Sequence, residues 1–490
     1  MKKPVRTEPL KFNIVEQICC LLEGFRRCFA HRKAFAWFAL AVFGFLIRLG
    51  HDGTSSMIRR LGLAPDCYTT FLNFFRTASW SLAVVQAQWV AMVLKYCPPV
   101  TVAGYPVLVG DGIKVAKEAT KMPGVKKLHQ ESENSGKPEF IFGHHFGVIG
   151  LLAGSALKMF SVPLIAWLQE GISDTADSPK LNLLALMARQ ALTIASLLNG
   201  GPCLLVVDAF YAVAPFFLAF EESEQRLVYV ITRAKKNYVA YFDPRPSGKR
   251  GRPNVYGEKV QLIKVFETYR DQFQKATLSL YGQAMEVAYL CLDLFWKPYH
   301  GKIRFVFVKD CGSNETFILM CSHLSLAPVD IIKAYCYRFK IEVTFNVLKN
   351  LIGAFSYHFW TTVWPKLSRK ESRPVQLPRD ARSCRLIGKA FEAILRFVNL
   401  ACIATGILQM PALNFMQPIW ELYRGWLRTV TSSVPSEETV RSVVQAEFLL
   451  NFHDLKRCLI FQLISRWARP NYFGSLGPPP GHAGPKADIA

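Results

Sequence analysis

Residues 335–349 read YCYRFKIEVTFNVLK. At about 100° per residue, Arg338, Glu342 and Lys349 fall about −60°, −20° and −40° from Tyr335, one stripe about 60° wide. The spacing predicts a single helix. Ile332, Phe339, Val343 and Val347 supply an apolar face for packing on a core, which leaves the charges to a partner. A carboxylate flanked by two cations and a phenol suits an acid that binds a metal beside a phosphodiester. A solvated face with ordinary i,i+4 ion pairs has the same spacing, so the rest of the chain must decide.

The chain has 490 residues, enough for roughly two to four domains. Its 51% hydrophobic content excludes a largely disordered protein and implies a sizeable core. There are 59 Lys and Arg against 36 Asp and Glu, a formal net charge of +23. An excess spread along the whole length points to a polyanionic partner, nucleic acid before membrane. The 13 cysteines include no CxxC, which argues against zinc ribbons and a secreted disulfide framework and for a reducing cytosol. MKKPVRTEPLKFNIVEQ at the N-terminus has no apolar run behind its charges and does not read as a signal peptide. AFAWFALAVFGFL (34–46) is too short to span a bilayer comfortably and reads as a buried helix.

Residues 10–98 read as all-helical. Within them TSSMIRRLGLAPDCYTTFLNFFR (54–76) predicts a helix, a turn at 62–65 and a second helix capped by Asp66. This pattern is similar to a helix-turn-helix, with Arg59, Arg60 and Arg76 available for phosphates, although many helical hairpins look the same. From 105 the texture becomes mixed. YPVLVGDGIKVAKEA reads as a strand ending at Asp111, a turn and another strand. SVPLIAWLQ is a strand, 181–198 an amphipathic helix, and GGPCLLVVDAF a strand ending at Asp208. This order predicts an α/β core. Strand-rich segments fill 226–322, interrupted by the Gly/Pro-rich basic loop PRPSGKRGRPNVYGEK. FSYHFWTTVW, a polar linker near 366–382 and helices to about 468 follow, and the composition of SLGPPPGHAGPKADIA predicts disorder.

Asp111 and Asp208 each follow a run of strand-forming residues and open a turn. In open α/β sheets polar groups emerge beside the ligand at strand ends. Such a carboxylate either caps the next segment or binds a divalent cation, which prefers hard oxygen ligands. Two from strand ends and one from a packed helix are enough for two magnesium ions, the arrangement that activates the attacking oxygen and stabilises the leaving one in phosphodiester displacement. Asp174, Asp177, Asp243 and Asp310 sit in loops or turns and rank lower.

The spacing Y-x2-R-x3-E-x6-K of Tyr335, Arg338, Glu342 and Lys349 resembles the signature of the YREK group of bacterial insertion-sequence DDE transposases. Asp111 in VLVGDG and Asp208 in LLVVDAF match the family's first and second aspartates, and Glu342 its glutamate. The resemblance covers roughly residues 100–355. It implies an RNase H-like catalytic core. Asp208 and Glu342 are 134 residues apart, too far for a bare core of that kind, and such family members carry a β-rich insertion at this point. The implied organisation is a helical region at 1–100, the first part of the core at 101–225, the insertion at 226–325, the core helix at 326–365, a helical C-terminal region at 366–470 and a tail at 471–490.

The resemblance further implies cut-and-paste transposition, with Asp111, Asp208 and Glu342 as catalytic residues holding Mg2+, for which Mn2+ can substitute. Arg338 and Lys349 would position phosphate, and Tyr335 the DNA end or the helix. Implied partners are double-stranded DNA (transposon ends and target) and a second copy of the chain on DNA, with the 384–468 helices offering the contact. No membrane and no small-molecule substrate are expected, and the place of action is the cytoplasm, at the nucleoid. Two alternatives remain: an RNase H-like nuclease without strand transfer, and a domesticated DNA-binding protein that no longer cleaves. In related members an aromatic ring stacks on a flipped base. Trp296 suits that role if exposed, and a core position is the competing reading. His144 and His145 look like metal ligands, yet neighbours on a strand point to opposite faces. Lys249, Arg250 and Arg252 in GKRGRP resemble an AT-hook core and suit phosphate contact.

Overall fold

The computed structural model describes residues 12–130, 138–155, 158–169, 182–198, 201–221, 226–245, 254–280, 282–366, 378, 380–427, 429, 432–450 and 454–469. Lys249, Arg250 and Arg252, Asp174 and Asp177, most of the polar linker near 366–382 and the tail lie outside them.

Five strands form the core of the sheet. Tyr105–Ala116 pairs antiparallel with Phe140–Gly154, which pairs antiparallel with Met159–Leu168. On its other side Tyr105–Ala116 runs parallel to Cys203–Val206, itself parallel to Val228–Arg233. Taken in chain order, the strands therefore lie 3-2-1-4-5, with the helix Leu183–Leu197 in the crossover from third to fourth. This is the RNase H-like order. Parallel strands covered on both faces read as unbroken apolar runs, and Val107, Leu108, Val109 and Leu204, Leu205, Val206 are all fully buried. Met187 of the crossover helix presses on one face, where a Cβ on Gly110 would lie 3.0 Å from its sulfur.

The sequence predicts a turn after Asp111, but the first strand runs through it without interruption to Ala116. Its second half keeps the ladder with Phe140–Gly154, from Asp111↔Val148 to Ala116↔Gly143, so the backbone has partners that a turn would forfeit. The third strand carries Pro163 and a register shift against Phe140–Gly154, features suited to an edge. Helix side chains cover that edge. Asn399 accepts from the Ala166 amide at 3.0 Å and donates to the Ala166 carbonyl at 2.8 Å, while Trp89 Nε1 donates to the Pro163 carbonyl at 2.9 Å.

The strand-rich block after Asp208 begins with Val228–Arg233, the fifth core strand, so the boundary read at 226 falls too early. Later strands return through Gln283–Trp296, Gly301–Asp310 and Thr316–Cys321, and the last pairs antiparallel with Val228–Arg233. The insertion thus extends the core sheet, which among the described residues has 13 strands when the short Thr101–Val102 and Lys126–His129 are counted with it. GEKVQLIKVF (257–266), whose composition predicts a strand, is one only over Lys259–Gln261 and turns helical from Leu262 on, while Gln274–Leu280 is a strand.

Helices from both chain ends share one core. Arg32–Ile47 is buried from Ala34 onward, as its composition predicts. Its aromatic rings meet the C-terminal helices in the pairs Phe45–Phe397, Phe43–Phe448 and Trp37–Trp467. The 34-residue helix Ala381–Asn414 is long and apolar enough to cross a membrane, but 83% of its most apolar window is buried inside the protein. Its most apolar stretch is used in packing inside the protein. Gly53–Leu61 and Cys67–Arg76 form the predicted hairpin, with Gly62 in the left-handed conformation at φ 67°. Asp66 occupies the cap position without a capping hydrogen bond.

The helical segment after the sheet ends at Gly353, and its carbonyls are taken by cations. Fully buried Arg48 donates to the Gly53 carbonyl at 3.2 Å, to Gly353 at 2.7 Å and, from two nitrogens, to Ile352. Arg441 donates to the Leu351 carbonyl at 2.7 Å, to Leu46 at 3.1 Å and to Arg48. Burial, then the Arg441 charge, pulls the Arg48 guanidinium down to about 9. Replacing Arg48 with Met would strand several buried carbonyls, each worth about 1–3 kcal/mol when unsatisfied. Arg48→Met should therefore lower stability by about 3 kcal/mol or more, read from the denaturant midpoint, with Arg48→Lys losing less.

Candidate active site

Sheet register brings the two aspartates together. Val107 pairs with Leu204 and Val109 with Val206 in the parallel ladder, and two further residues along the same register set Asp111 beside Asp208. Adjacent strands stand about 4.8 Å apart, so the two carboxylates meet although 97 residues separate them. Asp208 lies just past its strand and accepts from the Phe210 amide at 3.2 Å, capping the short Ala209–Tyr211 turn. Its carbonyl accepts from Thr232 Oγ1 at 2.6 Å, which ties the turn to the fifth strand. Asp111 Oδ1 accepts from the Gly112 amide at 2.7 Å.

Glu342 arrives from the helical segment that crosses this face. Pro328–Cys336 and Phe339–Asn346 are separate helices joined by a tightened turn, in which Arg338 N bonds to Tyr335 O and Ile341 N to Arg338 O. A π-turn, Val347–Ile352, follows. The single regular helix expected over 335–349 is thus replaced by three pieces. The buried face is Ile341, Thr344, Phe345 and Leu348, and Thr344 Oγ1 donates to the Ser161 carbonyl at 2.8 Å. Phe339 and Val343, assigned to the core by the periodicity, are 58% and 38% exposed. The tightened turn ahead of them shifts the phase, so a constant 100° step misassigned them.

Arg338 connects the acids. Its Nη1 lies 3.0 Å from Asp111 Oδ2 and its Nη2 2.7 Å from Glu342 Oε1. Burial, followed by the charge of Asp208, pushes the Asp111 carboxyl up to about 6, and Arg338 only partly offsets this. Tyr335 stacks on Phe317 with centroids 6.3 Å apart. Burial raises its hydroxyl pKa, and Arg338, Arg233 and Asp208 stand near enough to act on it. Lys349 is exposed on the π-turn and makes no ion pair among the described residues.

Three hard oxygen donors with excess negative charge fit a divalent cation. Among the described residues, however, no three His, Cys, Asp or Glu side chains converge closely enough to hold an ion, and the Arg338 guanidinium stands between Asp111 and Glu342. Tyr211, almost fully buried, was missed by the sequence reading. Burial and then the charges of Asp111 and Asp208 raise its pKa. Its only signal was its place three residues after Asp208.

The remaining expected residues divide clearly. His144 Nε2 donates to the Pro123 carbonyl at 2.8 Å, so its Nδ1 accepts from the Tyr357 hydroxyl at 2.6 Å. Both nitrogens are committed, and burial draws the imidazole down to about 3. His144 is therefore not a metal ligand. His145 points to the opposite face, where a Cβ on Gly112 would come 2.5 Å from its Nε2. Arg59 is exposed and paired with Asp52, Arg60 Nε donates to the Ile47 carbonyl at 3.2 Å, and Arg76 lies over the Phe359 ring. Asp243 pairs with Lys302, and Asp310 caps its own turn through Gly312 and Ser313.

Trp296 needed an exposed ring to stack on a base. It is 4% exposed and packs among Phe217, Tyr238 and Tyr299, with centroids 5.8, 5.5 and 6.5 Å away. Strand alternation turns it inward, and it is a core residue.

The strand order and the acids on adjacent parallel strands define an RNase H-like protein with an acidic site. Residues 24–284, just over half of the chain, match the DDE superfamily endonuclease family, and the chain belongs to that family. The match includes Asp111 and Asp208 and ends before Glu342. No curated protein matches the chain. Among solved structures, the piggyBac transposase synaptic complex with hairpin DNA aligns at 11% identity over 94% of this chain and 84% of that one, with a TM-score of 0.33. The NurA nuclease from Sulfolobus solfataricus aligns at 11% identity over 59% and 98%, with a TM-score of 0.21.

Trp296→Ala should destabilise the fold by about 3–5 kcal/mol, the usual cost of emptying a large aromatic site. Denaturant unfolding measures this, and an unchanged midpoint would return Trp296 to the surface.

Proposed function

We propose that the chain is a DNA transposase of the YREK-signature group, of the kind carried by bacterial insertion sequences, which cleaves transposon ends and joins them to target DNA. The observation that carries this reading is the placement of Asp208 beside Asp111 together with the pairing of Arg338 with both Asp111 and Glu342, inside a chain of the DDE endonuclease family. Asp111, Asp208 and Glu342 would hold Mg2+ or Mn2+, which activates an attacking oxygen and stabilises a leaving one at phosphorus. Arg338 and Lys349 supply positive charge to the DNA phosphates, and the partly buried Tyr335 supports the turn that aims Arg338. Double-stranded DNA is the partner, bound by two copies of the chain, at the nucleoid. A net charge of +23 favours such a polyanion. Cleavage without strand transfer is the second reading, since the same acids serve both reactions, and an assay with pre-cut ends separates the two.

Glu342→Gln keeps size and helix propensity and removes the charge. End cleavage and strand transfer should fall by at least about 100-fold, the scale of losing one strong electrostatic stabiliser, with binding to the ends retained in a gel shift. Asp111→Asn and Asp208→Asn should behave alike, and Asp243→Asn should stay active. A Glu342→Gln protein that binds and cuts like the parent would refute the assignment.

Replacing Lys249, Arg250 and Arg252 together with Ala should weaken DNA binding and flatten its dependence on salt, because fewer counterions are released. An unchanged slope of log affinity against log salt would remove that loop from the interface.

A further inference from the structure

Two nitrogens of one rigid guanidinium engage acids from different elements: Asp111 of the first strand and Glu342 of the crossing helix. Both Asp111 oxygens are occupied, Oδ1 by the Gly112 amide and Oδ2 by Arg338. The Arg338 and Asp111 side chains are each only 20% exposed, so the contact is sheltered from bulk water. Arginine stays charged at any working pH, and its planar fork can span two carboxylates at once. A divalent ion that engaged Asp111 and Glu342 together would sit where this fork spans from Asp111 Oδ2 to Glu342 Oε1, and it would meet a like charge at contact distance.

We propose that Arg338 is a resident counter-ion that competes with divalent metal for Asp111 and Glu342 until DNA draws it away. The inference rests on the reading of these acids as metal ligands. Arg338 sits on the tightened turn between Pro328–Cys336 and Phe339–Asn346, and a flexible aliphatic stem lets its head swing without moving either helix. A phosphodiester offers the same bidentate geometry as a carboxylate. Once the guanidinium moves to phosphate, the acids keep their full negative charge and their affinity for the ion rises. Metal loading and DNA binding are then coupled, and the coupling is reciprocal: each raises the affinity for the other by the same factor. A protein loaded mainly on DNA would be spared metal-dependent cleavage elsewhere.

The test measures Mn2+ alone, bound to the full-length protein without DNA, from the free-ion signal in electron paramagnetic resonance. Arg338→Gln should bind Mn2+ about tenfold tighter than the parent, a coupling of ordinary size. The gain should vanish in Arg338→Gln with Glu342→Gln, which locates the ion. Arg338→Lys keeps the charge and loses the fork, and it should bind less tightly than Arg338→Gln. Circular dichroism melting confirms that each variant is folded. Equal Mn2+ affinity in the parent and Arg338→Gln, at a site that Glu342→Gln abolishes, overturns the competition and leaves the metal reading standing. If no Glu342-dependent Mn2+ binding occurs in any variant, even with duplex DNA added, the metal reading itself fails and takes this inference with it.

Discussion

The parallel pairing of Tyr105–Ala116 with Cys203–Val206 is the constraint on which the site depends. Its register, Val109 opposite Val206, sets Asp111 level with Asp208. Shifting one strand by a single residue would turn a carboxylate to the other face and break the close packing of fully buried Val and Leu side chains on both faces. The apolar runs that lead into the acids therefore fix where the acids stand. Burial of hydrocarbon on both faces of the sheet supplies the driving force, and proximity of the two charges is what that force has to overcome.

Two like charges on neighbouring strands are unfavourable, and the raised Asp111 pKa expresses that repulsion together with burial. Arg338 relieves part of it in the protein itself. Other cations act as fasteners inside the helical layer. Arg48 and Arg441 take the carbonyls at the end of the π-turn, while Arg396 donates to the Phe75 carbonyl at 3.0 Å and to Trp80 at 3.1 Å. Lys117 donates to Phe355 and lies 3.7 Å from the Tyr357 ring centre, and burial brings its ammonium down to about 7. A share of the +23 charge is thus committed to backbone carbonyls in the interior, so the charge count overstates the surface available to a polyanion.

The insertion serves the site through the sheet. Thr316–Cys321 pairs with Val228–Arg233 and leads directly into Pro328–Cys336, so the strand that closes the insertion also aims the helix that carries Arg338 and Glu342. Helices from both chain ends then hold the far end of that segment at Leu351–Gly353.

Strand-forming runs leading into the acids, the Y-x2-R-x3-E-x6-K spacing and the long gap before Glu342 were legible in the sequence, because they depend on local pattern and order; that the first strand runs on past Asp111 was not. The buried helix at 34–46 and the hairpin at 54–76 were legible too. The tightened turn at Arg338, the π-turn, the exposure of Phe339 and the burial of Trp296 were not. Each depends on partners distant in the chain: Asp111 and the third strand for the segment that carries Arg338, Phe217 and Tyr238 for Trp296. The same holds for His144, whose ring nitrogens find Pro123 and Tyr357 only in the folded chain. Periodicity records which side chains avoid water on a regular element. Tertiary packing decides where that regularity breaks, and there the sequence alone determined the residues but not the directions in which they point.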